Sequence, residues 1–268
     1  AYSIRVGSIV QISLVDTHVH LDFQQFQKDR DKLISDCEAL GINALVLPGV
    51  EIEQSERLIP LVSKYEALFA APGLHPCFLE TAKEDALERL LAIAKTQKVI
   101  AIGEIGLDCF VDEPEIDTQH QFFEAQIDIA IEAGLPILLH VRRAHDQVVK
   151  ILQQKSFANG GIVHAYSGSL QQAKRYFDLG FALGIGGAVT HLRANKLRSL
   201  VSAIPDGSFV LETDAPDMLP AFARGPENSP LNLLGIAEIV AQLRQQNLEI
   251  ISVQTTRRAA EIFGWDNK

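Results

Sequence analysis

Short apolar runs recur along the chain, each followed by a polar stretch whose apolar residues fall three and four positions apart. One run ends in Val15-Asp16-Thr17-His18-Val19-His20-Leu21-Asp22. Seven more follow at residues 43–49 (NALVLPG), 68–76 (LFAAPGLHP), 99–108 (VIAIGEIGLD), 136–142 (PILLHVR), 160–167 (GGIVHAYS), 181–187 (FALGIGG) and 209–216 (FVLETDAP). Between them, residues 29–40, 51–65, 84–94, 118–133, 145–153, 170–179 and 193–201 have helical spacing, and 231–246 and 252–263 supply closing helices. Gly41, Gly134 and Gly180 stand just past helix ends, where a left-handed residue is wanted.

Apolar runs alternating with helices indicate parallel strands covered on both faces. Eight such units predict an α/β fold, a closed (β/α)8 TIM barrel, as one domain over residues 1–268. The alternative, an open doubly wound sheet, would have fewer strands and a phosphate loop after the first. Gly184-Ile185-Gly186-Gly187 lacks the full G-x-G-x-x-G and comes late, so close backbone approach at a strand end is expected there. Residues 1–12 are expected to be an extension, or a segment added for expression.

Apolar content of 47% and charged content of 22% fit a soluble globular protein. No apolar run approaches the roughly 20 residues that span a bilayer. The opening residues lack the apolar core and cleavage site of a secretory signal, so a cytoplasmic location, with no membrane and no obligate protein partner, is expected. Cys37, Cys77 and Cys109 are scattered and do not read as a disulfide framework or a thiolate zinc site. A net charge of -10 argues against polyanion binding by the whole surface. Nucleic acid stays open as a substrate, because divalent metals and a few arginines can hold phosphate locally.

In barrel enzymes the active site lies at the C-terminal ends of the strands. The polar residues there are His18, His20, His75, Glu104, His140, His164 and Asp214. Any one of them alone is as readily a hydrogen-bonded structural group, but the set points to a metal centre. His18 and His20 share one side of an extended chain. Four histidines and two carboxylates exceed one tetrahedral ion and suit two ions with a shared bridge. Glu104 is placed to be that bridge, with His18, His20 and Asp214 on one side and His140 and His164 on the other. Asp214 is also placed to accept a proton from the attacking water.

The runs Asp16-Thr17-His18-Val19-His20, Gly73-Leu74-His75-Pro76, Gly103 to Asp108, His140-Val141-Arg142 and Glu212-Thr213-Asp214-Ala215-Pro216 resemble the TatD-type metal-dependent deoxyribonucleases of the amidohydrolase superfamily. The resemblance covers nearly the whole chain, in order, and includes His164 and residues 255–264 (TTRRAAEIFG). It implies a (β/α)8 barrel with two divalent ions that hydrolyses DNA, in several members 3′→5′ on single strands. It makes His18, His20, Glu104, His140, His164 and Asp214 the metal ligands, with Glu104 and Asp214 catalytic. His75 would face substrate, contacting a phosphate or positioning water. Arg142 would clamp phosphate, since a guanidinium fork matches phosphate oxygens; its alternative is an ion pair with Asp146. Imidazole-rich ligation admits Zn²⁺ or Mn²⁺, and Mg²⁺ fits less comfortably.

His120, His145 and His191 are expected to be ordinary surface residues. Cys109 and Asp217 stand where many members carry an aromatic residue, which predicts a mouth poor in stacking surface and an added acid that repels phosphate. Two other readings are a carbonyl-directed amidohydrolase or lactonase using the same ions, and a metal-binding interaction barrel without catalysis.

Overall fold

The computed structural model describes residues 12–265. All but the last residue of the expected 1–12 extension lies outside them. The strands are β1 (Leu14–Asp16), β2 (Ile42–Pro48), β3 (Leu68–Ala71), β4 (Ile102–Asp108), β5 (Ile137–Arg142), β6 (Gly161–Val163), β7 (Phe181–Ile185) and β8 (Phe209–Leu211). Every pairing is parallel, in the orders β1-β2-β3 and β4-β5-β6-β7-β8. Two junctions join these arcs into a barrel. At one, Ala70 N donates to Lys98 O (2.9 Å) and Ile100 N donates to Ala70 O (3.0 Å). At the other, Thr17 N donates to Leu211 O (3.1 Å) and Asp214 N to His18 O (2.8 Å), which sews the first strand to the last.

The helices are α1 (Arg30–Ala39), α2 (Ile52–Val62), α3 (Ala86–Ala94), α4 (Ile116–Ala133), α5 (His145–Gln154), α6 (Leu170–Asp178), α7 (Asn195–Ala203), α8 (Leu233–Arg244) and α9 (Leu248–Phe263). Alternation within the strands divides the core in two. Leu45 and Leu47 of β2 join the larger cluster, between strands and helices, while Ala44 and Val46 join a smaller one. The smaller cluster also takes Val15, Ala71, Leu138, Ile162, Ala182 and Val210, inward residues of successive strands. Ala259 and Phe263 of α9 pack into it, and Trp265 meets Phe69 at 4.8 Å, closing the end of the barrel opposite the strand C-termini. Among the described residues no helix is long and apolar enough to cross a membrane.

The apolar runs outlast the hydrogen-bonded strands at the first, sixth and eighth positions, where the ladder covers three residues each. Beyond those points the chain stays extended but leaves its neighbours, carrying polar side chains to the mouth. The close approach expected at Gly184 is to a side chain: a Cβ there would stand 2.2 Å from Glu212 Oε2.

Asp16 reinforces the seam between β1 and β8. Its Oδ1 accepts from Thr213 N (3.0 Å) and its Oδ2 from Thr213 Oγ1 (2.6 Å), and it is fully buried. Removing a buried acceptor strands its donors at a cost of about 1–3 kcal/mol each. Urea unfolding of Asp16→Ala should therefore show a loss of at least about 2 kcal/mol, and Asp16→Asn, which keeps an acceptor, a smaller one. Equal stability of wild type and Asp16→Ala would show that the seam does not depend on this carboxylate.

Candidate metal centre

The mouth of the barrel is built from strand ends that approach unusually closely. Glu104 lies within β4, yet its N–H donates to Gly49 O (2.9 Å), and Gly49 N donates to Gly103 O (2.8 Å). This needs glycine. A Cβ on Gly73 would stand 2.6 Å from the carbonyl carbon of Gly103, and one on Gly49 would stand 2.4 Å from Gly73 N. His18 and His20 follow β1 and are not part of its ladder. The extended geometry persists because Val19 N donates to Val46 O (3.0 Å) and His20 N to Ala215 O (2.9 Å). Asp214 takes a left-handed φ of +57°, which aspartate tolerates better than most residues. Asn228 secures that turn by donating from Nδ2 to Thr213 O (2.8 Å) and Asp217 O (2.9 Å).

The donors converge on Glu104, which is 3% exposed. Its Oε2 lies 3.2 Å from His18 Nε2. Its Oε1 lies 2.7 Å from His140 Nδ1, 3.4 Å from His75 Nε2 and 3.9 Å from His164 Nε2. Asp214 Oδ1 is 3.6 Å from the Nε2 atoms of both His18 and His20, and its Oδ2 is 3.6 Å from His164 Nε2. The His18 and His164 rings stack at 3.6 Å. Two groups, His18–His20–Asp214 and His18–Glu104–His164, each hold their ligand atoms within 4.8 Å of one another.

Two carboxylates not singled out from the sequence orient these histidines. His140 Nε2 donates to Asp108 Oδ2 (2.9 Å), and His164 Nδ1 lies 3.1 Å from Glu212 Oε1. In each ring the outer nitrogen faces an acid and the inner one faces Glu104, an arrangement that fixes the tautomer and raises ligand basicity. The signal was periodicity: Asp108 is four residues after Glu104, and Glu212 two before Asp214, on the same side of an extended chain.

Burial raises Glu104 toward its neutral form, but His75, His18, His164 and His140 outweigh that and hold its carboxyl well below the ordinary range. Burial lowers His140, but hydrogen bonds to Asp108 and Glu104 lift it to about 9. Burial also lowers His164, and Glu212, Asp214 and Glu104 override it upward. His20 falls to about 4, through burial and then its neighbour His18. Asp214 is raised by burial but held down overall by His164, His18 and His20.

The donor set fits a divalent cation. Both ring nitrogens of His18 and Nδ1 of His20 are buried without a hydrogen-bond partner, a costly state that a coordinated ion would relieve. His75 differs: its Nδ1 accepts from Cys77 N (3.1 Å), so the neutral ring carries its proton on Nε2. That makes His75 a donor toward the cavity. Cys77 Sγ comes near His75 and His140, but burial pushes its thiol up to about 12, in keeping with the absence of a thiolate motif.

Arg142 is exposed, with its guanidinium 3.7 Å over the Phe110 ring, and Arg143 lies 4.6 Å over the same ring. The alternative ion pair with Asp146 does not form, because Arg175 takes that carboxylate. A mouth poor in aromatic surface is also corrected: Phe110, one residue past Cys109, is 50% exposed, and Phe78, beside His75, is 48% exposed. Burial, Asp214 and Glu227 push Asp217 up, which weakens the added acid. His145 is not a surface residue. It is 7% exposed, with Nδ1 3.2 Å from Tyr176 Oη, because α6 packs over the start of α5. His120 and His191 are partly buried, against Gln147 and Leu219 O.

Comparison with known proteins agrees with this geometry. The family model described as TatD related DNase matches residues 15–264. An uncharacterized metal-dependent hydrolase of Escherichia coli K12, YjjV, is 37% identical over 93% of this chain and 97% of its own. The crystal structure of Escherichia coli YjjV, described as a TatD homolog, superposes with a TM-score of 0.90 at 35% identity, covering 94% of this chain and 98% of that one. A Klebsiella pneumoniae protein named 3'-5' ssDNA/RNA exonuclease TatD is 30% identical over 94% of this chain and 98% of its own. With its strand-end histidines and carboxylates positioned to bind metal, the chain belongs to the TatD family of metal-dependent hydrolases, enzymes that act on ester bonds.

Proposed function

We propose that the chain is a metal-dependent deoxyribonuclease, working as one domain over its length, that cleaves phosphodiesters from the 3′ end of single-stranded DNA. The observation that carries this reading is the two-sided Glu104 carboxylate. One oxygen faces His18 and the other faces His140 and His164, which suits two divalent ions sharing one bridge. His18, His20 and Asp214 would hold one ion with Glu104, and His140 and His164 the other, with Zn²⁺ or Mn²⁺ favoured over Mg²⁺. Bound there, such ions supply an activated water and offset charge on a phosphoryl group.

The chain's own groups do the rest. Asp214, held ionised by His164, accepts the proton of the attacking water. His75 donates its Nε2 proton in a hydrogen bond to a phosphate oxygen. Arg142 has no carboxylate partner among the described residues, so its guanidinium is available to clamp that phosphate. Phe78 and Phe110 offer exposed faces on which bases stack. A free arginine and exposed rings favour a nucleic-acid diester over a lactone. The name of the Klebsiella pneumoniae relative points to the same substrate class.

End-labelled single-stranded DNA should be shortened in the presence of Mn²⁺ and left intact with chelator. Glu104→Ala and Asp214→Asn should each lower kcat by at least about a hundredfold. A lactone panel turned over with the same mutant sensitivity, and DNA left whole, would reassign the substrate.

Metal uptake should release protons, because His140, lifted to about 9, and His164 must lose theirs to ligate. The sign is fixed: below about 9 the imidazolium competes with the metal, so apparent Mn²⁺ affinity rises with pH and levels off near that value. Calorimetry in buffers of differing ionisation enthalpy reads the proton count, and affinity flat between pH 6 and pH 9 would contradict the histidine set.

A further inference from the structure

The largest cavity of the molecule is a groove of about 1500 Å³ beside the donor cluster, between the connections that lead into α5, α6 and α7. Its wall includes Ala165, the residue after His164, and Met218, four residues beyond Asp214, so it adjoins the metal centre. It exceeds the roughly 300–1,000 Å³ of a typical small-ligand site.

Three features give the groove an anion's requirements. The helices α5, α6 and α7 all begin on its wall. Ser169 caps α6, but α5 and α7 start behind Ala144 and Ala194, which offer no capping side chain, so their first-turn N–H groups have no side-chain acceptor. His145, at the start of α5, is 7% exposed and its Nε2 has no partner. Gly168 leaves that nitrogen open to the groove: a Cβ there would stand 3.0 Å from it. Finally, Arg143, Arg193 and Lys196 line the wall with no carboxylate partner among the described residues, and the one acid on it, Asp146, is paired with Arg175. On a chain of net charge -10 this is a local reversal of sign.

We propose that this groove holds a second phosphodiester of the polynucleotide, neighbouring the one at the metal centre, so that the enzyme prefers oligonucleotides to small diesters. The proposal rests on the nuclease reading above. Apolar wall residues such as Tyr166, Leu170 and Leu197 give the intervening sugar and base a surface to lie on.

The test is the double variant Arg193→Ala/Lys196→Ala, whose side chains are exposed and far from the fold's core. KM for a short oligothymidylate with Mn²⁺ should rise about tenfold, while turnover of bis(p-nitrophenyl) phosphate, which reaches only the metal centre, stays unchanged. With chelator present, fluorescence anisotropy of the labelled oligonucleotide should show the slope of log affinity against log salt fall by about 1.4, two contacts at about 0.7 each. Wild-type values of KM and salt slope in the variant would overturn the groove, as would equal losses on both substrates. If the wild type cuts neither substrate, the nuclease reading fails. The anisotropy then decides alone: a reduced slope supports a polyanion groove, and an unchanged slope or no binding overturns it. Displacement of the oligonucleotide by inorganic phosphate at equal phosphate concentration would also overturn it, by showing a site for the free anion.

Discussion

A single carboxylate buried among imidazoles sets the terms for this molecule. Glu104 is removed from water, and burying a charge alone is prohibitive, so its ionised form exists only because histidines surround it. Those histidines come from separate strand ends, and each is held by something further out: Asp108 behind His140, Glu212 behind His164, the Cys77 amide behind His75. The layers are interdependent. Glu212 reaches His164 only because Gly184 has no side chain in the way, and Glu104 stands where it does only because Gly49, Gly73 and Gly103 let three strand ends crowd together.

Around this centre the surface changes character. The body is acidic, yet the mouth carries Arg142 and Arg143 stacked on Phe110, and the adjoining groove carries more unpaired positive charge. Such a distribution repels a polyanion from most directions and accepts it at one. Selectivity for a chain end therefore has a physical basis beyond the shape of the cavity.

Much of this was legible in the order of residues. The alternation of apolar runs with helical spacing gave the barrel, because burial on both faces leaves no other economical arrangement. Strand limits were less readable, since a chain leaving the ladder after Asp16, Val163 or Leu211 keeps its extended, apolar character. His18 and His20 converge as spacing implied, although hydrogen bonds to Val46 and Ala215 hold them extended. Asp108 and Glu212 passed unassigned because an acid at a strand end reads equally well as a helix cap. His145 was misread because its burial depends on Tyr176, thirty-one residues later. The groove was invisible, as its wall draws on three connections with no shared motif.

The seam between β1 and β8 has one more consequence. His18 and His20 belong to the first strand's exit and Asp214 to the last's, so the coordinating pair of elements meets only when the ring is shut. A growing or clipped polypeptide lacking its final strand would present two imidazoles with no acid opposite them. Loading of the cation must therefore come after closure, and unfinished copies carry no hydrolytic power.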